Sequence, residues 1–535
     1  MRVAFRARLW RNGVVGATVS GVTDPQGEVL AFLGDPATWG GEPVHRIDTS
    51  CAAVFLVGAR AYKMKRAVNL GYLDFSTVEL RRRFCDAELS LNRRTAPELY
   101  LGIEEVTRRA DGSLGLGGEG EAIEPLVVME RFPDNALGSR ALAEGRVDRA
   151  MVEDLGRRLA AYHADCPVKQ APAAGMMPLL ESCIAPSLAI APIVPTARIE
   201  AVIAAIAQAF RETGPTVTAR ADAGWWRRVH GDLHLGNLCL LGDRLVPFDA
   251  LEFNDTLASA DVLYDLAFLI MDLRRNGRGD LALALFDAYG DCGPGGPSLI
   301  PGFIALRALI RAFVAHATWK LATGNPPPPL AAIDVYLSEA ERSLADVTPR
   351  LVAVGGLSGT GKSTLARALA PLLGPAPGAV HLRTDVLRKQ MFGVAETEPL
   401  PPEAYDPGVS GKVYGLLLDQ AATVLATGRS VIVDGVFARE PERRAAADAA
   451  TAAGRGFAGI WLDAPLALRQ SRIDGRKGDA SDATAEVAAA QEGYDLGRIA
   501  WHRLPAQAGV PALAALALRA VTGEAVSGDQ DGRPL

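Results

Sequence analysis

The chain has 535 residues, a formal net charge of −6 at pH 7, 22% charged residues and 49% hydrophobic residues. This length exceeds what one hydrophobic core organises, so it predicts two or more domains. The small net charge gives no sign of a nucleic-acid surface, and the sequence contains no run of 18 apolar residues that would predict a membrane-spanning helix.

The six cysteines are scattered and form no Cys-x-x-Cys pair, which predicts reduced thiols and a cytoplasmic location. Residues 1–29 hold four arginines before the first acid and lack the apolar stretch of a secretory signal. We therefore treat them as a disordered extension, or as residues encoded before the true start codon, and begin the first domain at residue 30. A transit peptide is the alternative.

Short β-leaning runs occupy about 44–132 and are interrupted by a charged helix near 76–94, whereas long helical segments dominate about 147–345. A small sheet lobe followed by a helical lobe is typical of a kinase. The pattern predicts an α+β bilobal domain over 30–345, with lobes at about 30–132 and 133–345.

The segment VHGDLHLGNLCL, residues 229–240, places several polar side chains at a turn between two apolar runs. Asn237 lies five residues after Asp232, and Asp249 follows in LVPFDALEF after a predicted hairpin. A catalytic base, an amide oxygen and a second carboxylate in this order suit a phosphoryl-transfer loop, with Asp232 as the base and Asn237 and Asp249 as Mg²⁺ ligands. The alternative is a structural turn, which Gly, Asp and Asn also favour. HGDLHLGN followed by an aspartate resembles the signature of the aminoglycoside phosphotransferase-like kinases.

Lys63 and Lys65 in AYKMKRAV face the same side of a predicted strand, because they are two residues apart. In kinases a strand lysine contacts the α- and β-phosphates and pairs with an acid on the following helix. We expect Lys63 to bind the nucleotide and Glu88 to be its partner, with Lys65 and Glu79 as the alternatives. A lysine that protects a sheet edge is the structural alternative.

Four consecutive prolines in TGNPPPPLAAIDV, residues 323–335, predict a stiff linker, and we place the domain boundary near 346. GLSGTGKST then fits the phosphate-binding pattern G-x-x-x-x-G-K-[ST] between an apolar strand and a helix. The loop N–H groups would surround phosphate oxygens, the lysine would reach the β- and γ-phosphates, and the serine would bind Mg²⁺. The predicted nucleotide-binding residues are Gly356, Ser358, Gly359, Thr360, Gly361, Lys362, Ser363 and Thr364.

Acids follow two later strands of this region. Asp434 in SVIVDGVF is placed to order Mg²⁺ or its waters. Asp385 in HLRTDVLRK is placed to take a proton from a substrate hydroxyl, and Arg388, one helical turn later, to hold an anionic substrate. A helix cap or a solvated charge is the alternative for each of them.

Arg469, Arg472 and Arg476 are three and four residues apart, so they would share one face of a helix. Such a face would close over a polyphosphate, and we assign Arg472 and Arg476 to nucleotide binding. A solvated basic face is the alternative.

The phosphate-binding loop together with RTDVLRKQMFG, YDPGVSGKVYGLLLDQA, SVIVDGVF and the arginines resembles the small P-loop metabolite kinases, which include gluconate kinase and chloramphenicol phosphotransferase. Alternating β and α segments predict an α/β P-loop domain with a parallel sheet over 346–525, followed by a tail at 526–535. Over about 45–525 the chain resembles the bifunctional aminoglycoside phosphotransferase/ATP-binding proteins.

These observations predict a cytoplasmic, two-module, ATP-dependent phosphotransferase in which each module transfers the γ-phosphoryl group of Mg-ATP to a hydroxyl of a small molecule. One alternative is a nucleotide-sensing regulator, in which one module binds ATP without transfer and controls the other. A second alternative is that the first module phosphorylates proteins or itself. We expect no nucleic-acid or membrane partner, and the sequence identifies neither acceptor nor the oligomeric state.

Overall fold

The computed structural model describes residues 26–49, 51–69, 73–320, 326–345, 348–476 and 479–523. The chain divides between Leu344 and Ala345 into two compact units. Residues 1–25 of the predicted extension and the predicted tail at 526–535 lie outside the described residues.

The first unit opens with a six-stranded antiparallel sheet in the order β1-β2-β3-β6-β4-β5. One helix packs on each face of the sheet. Helix α1 covers one face, and α2 packs on the other face against β4 and β6. The elements are α1 (Gly27–Gly34), β1 (Val44–Asp48), β2 (Ala52–Val57), β3 (Arg60–Lys65), α2 (Val78–Asn92), β4 (Tyr100–Arg108), β5 (Leu114–Leu116) and β6 (Glu121–Glu130).

Helix α1 corrects the predicted extension of residues 1–29. The side chain of Gln26 is buried, and its amide nitrogen donates to the Lys65 carbonyl oxygen at 2.9 Å and to Glu124 at 2.8 Å. Leu30 and Leu33 of α1 belong to the apolar core over the sheet. Residues 26–29 therefore belong to the folded first unit, because they lead into and form a short apolar helix that covers one face of the sheet.

The remainder of the first unit is mainly helical and contains two small antiparallel ribbons, β7 with β10 and β8 with β9. These ribbons carry the polar loop of residues 229–240 at their junction. The elements are α3 (Gly138–Ala143), α4 (Arg149–Asp165), α5 (Met177–Leu188), α6 (Thr196–Asp222), β7 (Trp226–Arg228), β8 (Leu238–Leu241), β9 (Arg244–Pro247), β10 (Ser259–Asp261), α7 (Val262–Arg275), α8 (Gly279–Tyr289), α9 (Ile300–Lys320) and α10 (Leu330–Ser343).

One segment of the described residues, Gly296–Lys320, is long and apolar enough to cross a membrane by length and composition alone. In the folded chain, 78% of its most apolar 18-residue stretch is buried. Helix α9, which forms most of it, packs against α7 and α10. A core helix that is surrounded by other helices has this same composition.

The second unit is a five-stranded sheet in the order β12-β13-β11-β14-β15, and each neighbouring pair is parallel. The α+β unit followed by an α/β unit with a parallel sheet confirms the predicted fold class. The elements are β11 (Arg350–Gly355), α11 (Lys362–Leu369), β12 (Val380–Arg383), α12 (Thr384–Met391), α13 (Pro407–Ala426), β13 (Val431–Asp434), α14 (Glu440–Ala452), β14 (Gly456–Asp463), α15 (Leu466–Asp474), α16 (Ala485–Ala490), β15 (His502–Pro505) and α17 (Val510–Thr522).

All six cysteines lie in described segments, and each is a buried free thiol, as predicted. Burial raises the pKa of Cys85 and that of Cys183 to about 12. These two thiols therefore stay protonated and unreactive near neutral pH.

Candidate functional sites

Lys63 of β3 joins the sheet to two other parts of the first unit. Its Nζ lies 2.5 Å from Glu88 Oε1 on α2 and 2.9 Å from Asp249 Oδ1 on the loop after β9. Glu79, the alternative partner, is exposed in the first turn of α2. The structure thus brings together three predicted site residues, and Glu88 is the acid that pairs with Lys63.

Lys65 forms a second, deeper ion pair beneath Lys63. Its Nζ lies 2.6 Å from Glu88 Oε2 and 2.7 Å from Glu252 Oε1, and its side chain is only 1% exposed. Burial lowers the pKa of Lys65, but the carboxylates of Glu252 and Glu88 outweigh burial and raise the pKa above its usual value. Lys63 is 14% exposed. Because Lys63 is the more open of the two lysines, the geometry favours it for contact with a ligand.

A cavity of about 160 Å³ adjoins these lysines. Its polar end includes Lys63, Asn237 and Asp249, and its other walls are mainly apolar side chains from β2 and from the end of β6. An apolar chamber with a charged end suits a ligand that has an aromatic base and a phosphate chain. The apolar wall residues include Val54, Leu56, Ala61, Met129 and Phe132.

The loop of residues 229–240 brings Asp232 and Asn237 together. Asn237 Nδ2 donates to Asp232 Oδ2 at 2.9 Å, and the Phe248 N–H donates to the Asn237 carbonyl oxygen at 2.9 Å. Asp249 follows in a left-handed conformation with φ of 62°, which is rare for residues other than glycine and most accessible to Asp and Asn. The three predicted residues therefore lie on adjoining loops, with Asn237 and Asp249 in the cavity wall.

Asp265 of α7 holds the start of this loop. Its carboxylate accepts the N–H of His230 at 3.0 Å and the N–H of Gly231 at 2.9 Å, and it lies 3.2 Å from His163 Nε2. Burial raises the pKa of Asp265, but the hydrogen bond and charge of His163 outweigh burial and lower the pKa below its usual value. This buried carboxylate fixes the loop by accepting backbone donors.

Asp272, one heptad after Asp265 on α7, holds the middle of the loop by accepting the Leu235 N–H at 3.0 Å. We did not predict either acid from the sequence. The available signal was two acids seven residues apart in the apolar helix VLYDLAFLIMDL, because buried carboxylates require partners.

His234 supports the loop as a neutral side chain. Its Nδ1 accepts the Gly236 N–H at 3.0 Å, and its Nε2 lies 3.8 Å from Asp232 Oδ2. Burial lowers the pKa of His234 to about 4, because the effect of burial is larger than the opposing effect of the Asp232 charge. The histidine is therefore uncharged at neutral pH.

In the second unit, the loop between β11 and α11 depends on its glycines. Gly356, Gly359 and Gly361 have φ of 144°, 82° and 94°, a region that side chains rarely adopt. A Cβ on Gly359 would lie 2.5 Å from the Arg469 carbonyl oxygen, and one on Gly356 would lie 2.7 Å from the Leu462 carbonyl oxygen. The predicted phosphate-binding loop is therefore tightly packed against β14 and α15.

Residues 358–364 of this loop line a cavity of about 340 Å³, whereas Gly356 turns the chain below it. The Ser358 N–H donates to Gln491 Oε1 at 2.7 Å, so this predicted phosphate donor already has a protein partner. Burial lowers the pKa of Lys362, against the opposing charges of Asp434 and Asp385. Gln491 was not predicted, because nothing in its local sequence marks it as a partner of a distant loop.

Ser363 Oγ donates to Asp434 Oδ2 at 2.5 Å, and His381 Nε2 lies 3.2 Å from the same oxygen. Burial raises the pKa of Asp434, but the hydrogen bond and charge of His381 outweigh it and lower the pKa. Burial and the charge of Asp434 raise the pKa of Asp385. Two neighbouring acids with pKa values shifted in opposite directions suit one metal-binding carboxylate and one general base.

The predicted arginine face is wrong in part. Arg469 is fully buried beneath the loop and pairs with Glu492, and α15 ends before Arg476. Arg472 and Arg476 both line the cavity at the loop, and Arg472 Nη1 donates to the Thr360 carbonyl oxygen at 3.0 Å. The helical spacing failed because the helix is too short to carry all three side chains.

Arg388 lines a larger neighbouring cavity of about 840 Å³, which also includes Asp385 and Asp434. The Arg388 guanidinium stacks on the Tyr405 ring at 4.9 Å and donates to Ser410 Oγ at 3.3 Å. In the described structure its Nε has no hydrogen-bond partner. An acceptor that binds in this cavity would meet both the base candidate and this arginine.

No cluster of three or more His, Cys, Asp or Glu side chains arranged for a metal ion occurs in the part of the chain that the structure describes. The predicted ligand sets instead combine one carboxylate with one amide or hydroxyl oxygen: Asp249 with Asn237, and Asp434 with Ser363. These hard oxygen donors fit Mg²⁺, which usually keeps waters and phosphate oxygens as its other ligands.

The buried Lys65–Glu252 pair generates a stability prediction. We expect Lys65→Met to lower the free energy of unfolding by about 3–5 kcal/mol, because it removes the buried cation that pairs with the carboxylates of Glu88 and Glu252. The double variant Lys65→Met/Glu252→Gln should recover part of that loss. Urea unfolding of the full chain measures both values.

The control is Arg149→Met, which removes an ion pair whose side chains are 54% and 32% exposed. It should change the free energy of unfolding by about 0–1 kcal/mol. A Lys65→Met effect no larger than this control would contradict a strongly coupled buried pair.

Two of the solved structures that are similar to this chain are named as kinases. A choline/ethanolamine kinase family protein from Mesorhizobium loti is 16% identical and covers 60% of this chain and 94% of its own, with a TM-score of 0.37. A gluconokinase from Sinorhizobium meliloti is 19% identical and covers 33% of this chain and 94% of its own, with a TM-score of 0.24.

Two family profiles and several related sequences together match most of the chain. The profile of the phosphotransferase enzyme family matches residues 91–301, and that of an AAA domain matches residues 351–494. Uncharacterized proteins of Mycobacterium tuberculosis and Mycobacterium bovis are each 32% identical over 461 residues, which is 83% of this chain and 88% of theirs. Two kinase-like domains imply phosphotransferase activity. The chain belongs to the same family as these mycobacterial proteins and joins a phosphotransferase-family domain to a P-loop domain.

Proposed function

We propose that the chain is a two-module ATP-dependent phosphotransferase and that each module transfers the γ-phosphoryl group to a hydroxyl of a small molecule. The observation that supports the proposal is that each unit holds an acid close to side chains suited to binding a phosphate chain. Asp232 lies beside Asn237 in the first unit, and Asp385 shares a cavity with Lys362 in the second. Small-molecule acceptors and a cytoplasmic location, which the free buried cysteines support, are parts of the same proposal.

In the first module, Lys63 would bind the α- and β-phosphates, and Glu88 would hold Lys63 in position. Asn237 and Asp249 would hold Mg²⁺, which when bound neutralises charge on the phosphates. Asp232 would orient the acceptor hydroxyl. The hydroxyl oxygen forms its bond to the γ-phosphorus, the bond from that phosphorus to the bridging oxygen breaks with its electron pair on ADP, and the hydroxyl proton passes to Asp232.

In the second module, the loop N–H groups and Lys362 would hold the β- and γ-phosphates, with Arg472 and Arg476 at the same cavity. Ser363 and Asp434 would hold Mg²⁺. Asp385 would accept the acceptor proton, and its raised pKa supports that role. The acceptor would occupy the cavity of about 840 Å³, and Arg388 would bind an anionic part of it.

The base of the first module is tested by Asp232→Asn in a chain that also carries Lys362→Ala, so that the second module is silent. We expect phosphoryl transfer to fall by about 10²–10⁴-fold, because removing a general base costs about this much. The affinity for Mg-ATP should stay within a few-fold of the parent. Transfer of labelled γ-phosphate to a metabolite extract, read by mass spectrometry, measures the rate.

Asp243→Asn is the matched control, because Asp243 is exposed at the β8–β9 turn of the same region. It should leave both transfer and affinity at parental values. Parental transfer rates in the Asp232→Asn chain would mean that another group is the base.

Two separate nucleotide sites predict a stoichiometry of two per chain. Lys362→Ala should abolish tight binding at one site, and Asp249→Asn, which keeps a residue type that tolerates the left-handed backbone, should weaken Mg-ATP only at the other. Because the two sites lie in different units, the losses should be nearly additive in the double variant. Titration calorimetry on the four proteins measures stoichiometry and coupling.

One nucleotide per parental chain, with its binding lost on Lys362→Ala alone, would exclude the first unit as an ATP site. A coupling energy above about 1 kcal/mol would favour the nucleotide-sensing regulator, since one site would then sense the other.

A further inference from the structure

Three helices of the first unit place a cluster of cationic and aromatic side chains near the Asp232 loop. Tyr336 of α10 is buried, and the guanidinium carbon of Arg275 lies 5.0 Å from the centre of its ring. Arg311 of α9 approaches the same ring at 5.9 Å and donates from Nε to the Tyr336 hydroxyl at 3.4 Å. We call Arg275, Arg311 and Tyr336 the arginine–tyrosine cluster.

Hydrogen bonds join this cluster to the loop. Arg275 Nε donates to Asp272 Oδ1 at 2.5 Å, and Asp272 Oδ2 accepts the Leu235 N–H at 3.0 Å. Leu235 lies between Asp232 and Asn237 in sequence. The Asp272 carboxylate thus connects the arginine–tyrosine cluster to the loop that carries the residues we assign to phosphoryl transfer.

The charge of Arg311 also acts directly on this loop. Burial lowers the pKa of Arg311, but Tyr336 and the charges of Asp272 and Asp232 outweigh burial and raise it. Arg311 in turn contributes to the lowered pKa of His234. The directions of these shifts agree with the contacts that join Arg311 to the loop through Tyr336, Arg275 and Asp272.

The two arginines of the cluster differ in their partners. Arg275 has the Asp272 carboxylate, whereas the Tyr336 hydroxyl is the only hydrogen-bond acceptor that Arg311 has among the described residues. A guanidinium carries five N–H donors and favours paired acceptors such as a carboxylate or phosphate. Arg311 as a whole residue is partly exposed.

A purely structural role explains Arg311 less well. Its hydrogen bond of 3.4 Å and its ring distance of 5.9 Å lie near the outer limits for such contacts. Arg220, a fully buried arginine of the same unit, instead makes two bonds to Asp261 at 2.6 and 2.8 Å. Most of the Arg311 donors therefore have no protein acceptor among the described residues.

We propose that the acceptor of the first module carries an anionic group, a carboxylate or a phosphate, which Arg311 binds while the acceptor hydroxyl lies at Asp232. This inference rests on the proposed function of the same site. Arginine binds either anion through paired, charge-assisted hydrogen bonds. The same guanidinium repels ammonium groups, so the site discriminates against polycationic acceptors such as amino sugars.

Protection of Arg311 from phenylglyoxal tests the anion site without requiring turnover. The full chain is saturated with Mg²⁺ and a non-hydrolysable ATP analogue and is treated at constant ionic strength, with modification read by peptide mass spectrometry. The probes are glucuronate, glucose 6-phosphate, glucose and glucosamine. We expect glucuronate, glucose 6-phosphate or both to slow modification of Arg311 at least threefold, and glucose and glucosamine to have no effect.

Arg444, whose side chain is 70% exposed, is the internal reference and should react at one rate with every probe. The two anionic arms separate carboxylate recognition from phosphate recognition. Equal modification of Arg311 with all four probes, or protection by glucosamine, overturns the proposal.

Variants then identify the residue. Calorimetry with the strongest protecting probe should show about 10- to 100-fold weaker binding for Arg311→Met, because a charge-assisted hydrogen bond is lost. Arg311→Lys should lose less, and Arg342→Met, which removes a 62% exposed arginine of α10, should stay within about twofold. Unchanged binding in Arg311→Met, or an equal loss in Arg342→Met, overturns the assignment. Thermal unfolding confirms that each variant is folded.

Asp232→Asn separates this inference from the proposed function. The variant should keep the protection of Arg311, since the anion does not bind the base. If protection persists while the Asp232→Asn chain transfers phosphate at the parental rate, the anion site stands and the base assignment fails. If transfer is lost as predicted but no anionic probe protects Arg311, the acceptor inference fails and the proposed function stands.

Discussion

Glu88 divides its two carboxylate oxygens between Lys63 and Lys65, and this shared contact determines how three segments of the first unit meet. The lysines lie on β3 and the acid lies on α2. Each lysine also pairs with an acid of the loop after β9: Lys63 with Asp249, and Lys65 with Glu252. Buried charges of this kind are tolerated only when each has a partner in good geometry. The sheet lobe and the predicted metal-binding loop are therefore positioned by one electrostatic requirement.

The same principle operates in the second unit with different residues. Asp434 is buried, yet the His381 and Ser363 side chains keep it in its ionised form, whereas Asp385 is buried beside the charge of Asp434. The two acids are chemically identical in isolation. Their environments give them different proton affinities, and this difference is what allows one to act as a ligand and the other as a base.

Groups of residues that lie close together in the sequence could be predicted from the sequence. The pattern of the phosphate-binding loop lies within nine residues, and Asp232 and Asn237 lie within six. The local sequence was therefore sufficient to predict that the members of each group lie together in the fold. Glu252, Asp265 and Gln491 could not be predicted in this way, because their partners lie 187, 35 and 133 residues away along the chain. Only the folded arrangement of elements brings such pairs together.

Two of our errors have a similar origin. The arginine face assumed a helix that continues past Asp474, but spacing alone does not show where a helix ends. The other error was to include residues 26–29 in a disordered extension. These residues lead into and begin α1, which buries one face of the six-stranded sheet. Tertiary packing decided both outcomes, and a single sequence carries little information about it.

The left-handed backbone at Asp249 restricts how this family member can change. Glutamate offers the same carboxylate chemistry, but its longer side chain lacks the local hydrogen bonding that lets Asp and Asn adopt φ near 62°. Glycine would relieve the backbone and remove the ligand. The position therefore tolerates few substitutions without losing either the backbone conformation or the predicted metal ligand. Replacement of Asp by Glu is neutral at many surface positions, but at residue 249 the backbone conformation disfavours it even though the charge is kept.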